Sequence, residues 1–218
     1  MSTLVIPDIH EPFSFERALW HCQETYNIFS CDKVVCLGDF VDHHRISRHV
    51  SEPDGLGARE EYELALKRLK GWYTAFPEAT IVWGNHDIIP QRQAKEVGLP
   101  ADIFLRRLEE VYEFPDGCEG YNRVVIDDVL YLHNAGSGKY AAINKAREQS
   151  MSVVAGHTHT NPGVIYQSNP SKMFFGMNVG CLVDKDAYAM RYSDREITLG
   201  CGVVVDSEEA YFVPMKMS

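Results

Sequence analysis

Short apolar runs alternate with stretches of helical period through the first half of this chain, and closely spaced apolar runs dominate the second half. Leu4 to Ile6, Val34 to Leu37, Ile81 to Trp83 and Val153 to Ala155 are bounded by proline, glycine or charged residues, the pattern of buried strands. Strands are expected near 3–8, 33–38, 79–83, 123–127, 129–133, 152–156, 163–167, 173–177, 200–206 and 209–213. Helices are expected over 14–29, 59–76, 101–112 and 139–149. The first three strands alternate with helices, which implies an α/β arrangement, whereas turns such as Asp127-Asp128 imply hairpins later. The segment from Ile88 to Gly120 carries Pro90, Pro100 and Pro115 and fits either a lid or, better, a long helical crossover. No linker, repeat or low-complexity tract divides the 218 residues, so 1–218 is expected to form one domain.

The polar residues that follow these strands carry the chemistry. Asp8 and His10 close the first apolar run, Asp39 and Asp42 the second, Asn85 and His86 the third, and His157 and His159 the fourth. A side chain at the carboxyl end of a buried strand is held rigidly and faces the crevice where α/β sheets bind ligands. Asp8 and His10 are two residues apart, as are His157 and His159, so in extended chain each pair points to one side and can chelate an ion. Gly38, Gly84 and Gly156 precede three of these segments, where glycine permits a sharp turn and close approach of backbone to an anion. With His133 added, at the end of the run Val129 to Leu132, the set offers carboxylate, amide and imidazole donors in numbers that suit two divalent cations.

Asp8-Ile-His10, Gly38-Asp-Phe-Val-Asp42, Gly84-Asn-His-Asp87, the lone His133 and Gly156-His-Thr-His159 occur in an order that resembles the calcineurin-like metallophosphoesterases. The resemblance spans Asp8 to His159 and implies a four-layer αββα sandwich, in which two mixed β-sheets are flanked by helices. It also implies that Asp8, His10, Asp39 and His159 hold one metal and Asp39, Asn85, His133 and His157 the other, with Asp39 bridging. Mn²⁺ is the first expectation, with Fe, Zn, Ni or Mg as alternatives. Such a pair would activate a bridging water for attack on phosphorus. His86 would act as general acid or stabilise the transition state, and Asp42 would orient it and favour its protonated form. The nearest resemblance is to small single-domain members encoded by bacteriophages and prophages.

Substrate class is less marked. A phosphodiester of nucleotide or nucleic-acid-end type is favoured, partly because Asp87 stands where protein phosphatases of the family carry Glu. A phosphomonoesterase, or a catalytically silent binding module, remains the alternative. His43, Arg45 and Arg48 follow the second motif and are candidate substrate contacts, although His43-His44 replaces the Arg-Gly of the phosphoprotein phosphatases. The loop Gly136-Ser-Gly-Lys139 lacks the Walker spacing and fits a helix cap instead.

Charge and cysteine content narrow the partners. A net charge of −10 with dispersed basic residues argues against tracking along duplex DNA, which requires a basic stripe. The apolar runs fall short of the roughly 20 residues needed to span a bilayer. The N-terminus shows no secretory pattern, and no obligate protein partner is evident. Six cysteines without paired spacing read as reduced thiols, mostly buried, with Cys181 a candidate neighbour of the site. The bacterial or phage-infected cytoplasm is the expected location.

Overall fold

Successive side chains of β1 (Ser2–Ile6) face opposite ways, and both faces are buried. Leu4 and Ile6 enter one apolar cluster while Val5 enters another. The same division recurs in β2 (Lys33–Cys36), where Cys36 and Val35 part company, and in β3 (Thr80–Val82), where Ile81 and Val82 do. A strand apolar on both faces must lie between two covering layers. The computed structural model describes residues 1–48, 50–116, 118, 120–190 and 196–216.

Helices α1 (Ala18–Ile28) and α2 (Ala58–Ala75) cover the outer face of this sheet, with Cys22, Ala65, Leu69 and Trp72 packed against Leu4 and Ile6. The sheet continues through β4 (Gly120–Tyr121), β10 (Gly200–Val205) and β11 (Glu209–Pro214) in the order β11-β10-β1-β2-β3-β4. A second sheet, of β5 (Arg123–Ile126), β6 (Val129–Leu132), β7 (Ser152–Ala155), β8 (Gly163–Ser168) and β9 (Met173–Asn178), runs β5-β6-β7-β9-β8. Val5, Val35 and Val82 meet Tyr131, Val154 and Met177 between the two sheets. Helix α6 (Ala141–Gln149) closes the outer face of the second, where Ile143 and Ala146 pack on Leu130, Leu132 and Val153. The result is the expected αββα sandwich of two mixed sheets.

Close contact between α6 and β9 depends on Gly176, where an added Cβ would lie 2.2 Å from Ile143 N and 2.3 Å from its Cα. Helix backbone cannot yield to a side chain there. Gly176→Ala is therefore expected to destabilise the protein by about 1–3 kcal/mol or more through overpacking, read as a lowered urea midpoint.

Several element boundaries differ from expectation. β1 stops at Ile6 because Pro7 has no N–H for the ladder. α1 begins at Ala18, not near 14, because Ser14 bridges to Val183 in extended form. The helix expected over 101–112 divides into α4 (Ala101–Phe104) and α5 (Leu108–Val111), with Arg107 extended between them. An unanticipated helix, α3 (Ile89–Glu96), forms just after β3, and Pro90 sits in its first turn, where no N–H is needed. β3 and β4 pair in parallel, so this whole segment is a crossover connection.

Candidate dinuclear metal centre

Five strands deliver the site residues from their carboxyl ends. Asp8 and His10 follow β1, Asp39 follows β2, Asn85 follows β3, His133 follows β6, and His157 and His159 follow β7. β1, β2 and β3 are mutually parallel, as are β6 and β7, so both sheets aim these ends at one crevice. His10, Asp39 and His157 take left-handed backbone (φ 53°, 50° and 66°), which turns each chain sharply as it leaves its strand. Gly38, at φ 90°, lets the second turn press against the third, since a Cβ there would lie 2.2 Å from Gly84 N. At Gly84 and Gly156 the close approach is to the carboxylates themselves: an added Cβ would meet Asp39 Oδ1 at 2.0 Å and Asp8 Oδ2 at 2.7 Å.

Ligand atoms gather in three overlapping groups, each within 4.8 Å: Asp8, His10 and His159; His10, Asp39 and His86; Asp39, His133 and His157. Asn85 Oδ1 joins the last at 2.9 Å from His133 Nε2. His133 Nδ1 lies 2.7 Å from the Leu37 carbonyl, so its N–H donates there and Nε2 is left facing Asp39 Oδ2 at 3.3 Å. His10 repeats the device: its Nδ1 lies 2.6 Å from Asp42 Oδ1, which leaves Nε2 toward Asp39 Oδ2 at 3.5 Å. That Nε2 is buried and makes no hydrogen bond.

Electrostatics point the same way. Asp8, Asp39 and Asp42 are at most 4 % exposed, and their ion-pair partners among the described residues are histidines, with neither lysine nor arginine. Burial opposes ionisation of Asp39, yet His133, His86 and His10 hold its carboxyl well below the usual range. Burial likewise opposes charge on His133, but the Asp39 carboxylate overrides it and holds the imidazole at about 10. In the metal-free protein, the buried carboxylates thus favour the charged form of His133, and divalent cations among the same atoms would supply that charge instead. The orphaned His10 Nε2 and the mixed oxygen and nitrogen donors fit two such ions.

Around this centre the remaining candidates fall in different places. His86 donates its Nδ1–H to the backbone oxygen of Asp42, while the Asp42 carboxylate is bonded to His10 and stands 3.6 Å from His86. Burial works against charge on His86, but Asp39 and Asp42 raise its pKa above the ordinary value. His43 is buried at 7 % exposure, its Nε2 2.9 Å from the Tyr112 hydroxyl, and burial lowers its pKa to about 4. It packs the loop; it does not face solvent. Arg45 is exposed and its Nη1 donates to the Glu52 carbonyl at 3.4 Å. Arg48 pairs with Glu96 of α3. Cys181 is wholly buried and bridged to Leu199, with an apolar cluster around it, and all six cysteines are free thiols.

The sequence marked Asp87 only as a clue to substrate class, and it did not mark Glu61 at all. Asp87 accepts backbone N–H bonds from Asp39 (2.8 Å), Phe40 (2.7 Å) and Gly84 (2.8 Å), and so ties the second strand-end turn to the third. Burial and the Asp39 charge push its carboxyl up to about 7 against these three donors. Asp87→Ala strands all three N–H groups and is expected to cost about 3 kcal/mol or more, with weakened metal retention, measured by urea unfolding and metal analysis. Glu61 of α2 accepts from the N–H groups of His44 and Arg45, which start a short 3-10 helix (His44–Ile46); burial raises its pKa to about 7. Asp87 reaches Asp39 and Phe40 across the fold, and Glu61 reaches back from α2 to His44 and Arg45, so neighbouring sequence could not reveal these bonds.

The buried His/Asp cluster at the crevice of two packed mixed sheets has the donor set of a divalent-metal site. The chain belongs to the calcineurin-like phosphoesterase family, whose model matches residues 1–174. Among solved structures it is similar to a Vps29 mutant from Entamoeba histolytica, at 15 % identity and TM-score 0.42 over 99 % of this chain and 100 % of that one. It is also similar to vacuolar protein sorting 29 from Cryptosporidium parvum, at 15 % identity and TM-score 0.46 over 93 % and 83 %. The phosphoesterase YfcE from E. coli gives 15 % identity and TM-score 0.45 over 93 % and 87 %. No curated protein matches in sequence. Among the described residues no helix is long and apolar enough to cross a membrane.

Proposed function

We propose that the chain is a single-domain phosphodiesterase of the small phage or prophage type, acting with two Mn²⁺ ions on nucleotide or nucleic-acid-end diesters. The observation that carries the diester reading is the presence of a cavity on each side of the metal centre. One, of about 270 Å³, borders Asn85 and His86; the other, of about 820 Å³, borders His157, Thr158 and His159. A diester has two organic arms, whereas a monoester needs room for one.

Asp8, His10, Asp39 and His159 would hold one ion and Asp39, Asn85, His133 and His157 the other. When bound, such a pair polarises phosphoryl oxygens and lowers the pKa of water. The rest of the work falls to this chain's own groups. With Nδ1–H fixed on the Asp42 carbonyl, His86 keeps Nε2 for the proton that goes to the leaving oxygen. The neighbouring carboxylates favour its protonated form. Asp42 contributes by fixing the His10 ring through its carboxylate and the His86 ring through its carbonyl. Arg48, paired with Glu96, stands at the rim as a candidate substrate contact, whereas the buried ring of His43 supports the loop. Free thiols throughout suit a reducing compartment, the bacterial or phage-infected cytoplasm.

Hydrolysis of a chromogenic diester beside the matching monoester tests this, using metal-stripped protein supplied with Mn²⁺, Mg²⁺, Zn²⁺, Ni²⁺ or nothing. Metal-dependent cleavage with the diester faster is the expected result. Faster monoester cleavage would replace the reading with a phosphatase, and silence with every metal would replace it with a binding role.

A further inference from the structure

The cavity beside His86 has a composition of its own. Its walls come from Ile46 of the 3-10 helix and from Ile89, Arg92, Gln93 and Glu96 of α3, with Arg48 at the edge. The four α3 residues recur at the spacing of one helix face, so this helix presents a single surface to the cavity. Gln93 donates its side-chain N–H to the Ile46 carbonyl and braces one wall against the other. At about 270 Å³ the space falls just under the roughly 300–1,000 Å³ of cavities that enclose whole small ligands. It suits one compact arm.

Charge sets the identity of that arm. The Arg48 guanidinium is balanced by Glu96, but Arg92 makes no side-chain hydrogen bond or ion pair among the described residues. In a chain of net charge −10, an uncompensated guanidinium in this cavity offers a charge-assisted contact to a second anion. Ile46 and the buried Ile89 line the same cavity as Arg92 and His86, and they favour an apolar group over a hydrated one. We infer that this cavity holds the departing arm of the substrate, and that the arm is a nucleotide bearing its own second phosphate. Its base lies against Ile46 and Ile89 and its far phosphate on Arg92. The inference rests on the diesterase reading only for which arm departs; the nucleotide-binding chemistry stands apart from it.

Calorimetric binding of thymidine 3′,5′-bisphosphate and of thymidine 5′-monophosphate to the Mn²⁺-loaded protein separates the two ideas when run beside cleavage of the dinucleotides TpTp and TpT. The bisphosphate should bind at least about tenfold more tightly than the monophosphate, the gain expected of one charge-assisted contact. TpTp should show a similar advantage over TpT in kcat/KM. Arg92 is exposed, so Arg92→Gln should fold normally and abolish both preferences, whereas Arg92→Lys should retain part of them. Equal binding of the two nucleotides by the wild type, or a preference that survives Arg92→Gln, would overturn the inference. Cleavage of neither dinucleotide, with the binding preference intact and lost in Arg92→Gln, would overturn the diesterase reading and leave the nucleotide pocket standing.

Discussion

Asp39→Ala is expected to empty the metal centre and extinguish turnover. Asp39 belongs to two of the three ligand groups, and it is 1 % exposed, so no solvent can substitute cheaply for its oxygens. Its Oδ2 stands 3.3 Å from His133 Nε2 and 3.5 Å from His10 Nε2, between the two halves of the site, while Oδ1 accepts the His86 N–H at 2.8 Å. On the proposed ligand assignment its removal would take a donor from both ions, and it unties the His86 backbone. Losing an outer partner of a metal ligand typically costs about 10–100-fold, and losing a shared ligand should exceed that. Metal analysis should find less than one equivalent per chain where the wild type holds two. Added Mn²⁺ should raise the melting temperature of the wild type but not of the variant, because only a protein that binds the ion in its folded form gains from it. Full metal content with normal turnover would remove Asp39 from its bridging role.

His86→Ala should separate chemistry from metal binding. The ring nitrogens of His86 come close enough to His10 and Asp39 for a ligand role to be geometrically open. Its Nδ1, however, is committed to the Asp42 carbonyl, and the other two groups already provide imidazole and carboxylate for two ions. The expected result is retention of both equivalents with turnover lowered about 10²–10⁴-fold, the range of a lost general acid. A proton donor matters most when the leaving oxygen is basic. The deficit should therefore be larger for an alkyl diester than for a nitrophenyl one. Equal losses on both substrates would point to electrostatic stabilisation, and loss of one metal equivalent would make His86 a ligand.

The strands that carry the site were legible because a buried strand writes itself in a few adjacent apolar residues. Val34 to Leu37 needs no distant information to be extended, and Asp39 follows it wherever the strand goes. Helix α3 was not legible: Pro90 argues for a break unless its place in the first turn is known. The role of Asp42 was half legible. Its motif marked it as a partner for a histidine, but whether its carboxylate or its carbonyl meets His86 depends on how the loop after β2 folds over β3.

By itself the sequence determined the order of the early strands and helices, the identity of the metal-type donors and their attachment to strand ends, because these follow from neighbours along the chain. Tertiary structure alone decided that Asp87 would clamp the turns at Asp39 and Gly84, that His43 would turn inward onto Tyr112, and that α3 would wall a cavity against Ile46. Each of these joins residues brought together by sheet pairing and helix crossover. Their energies come from burial and from donor and acceptor meeting across space, and local sequence carries no record of either.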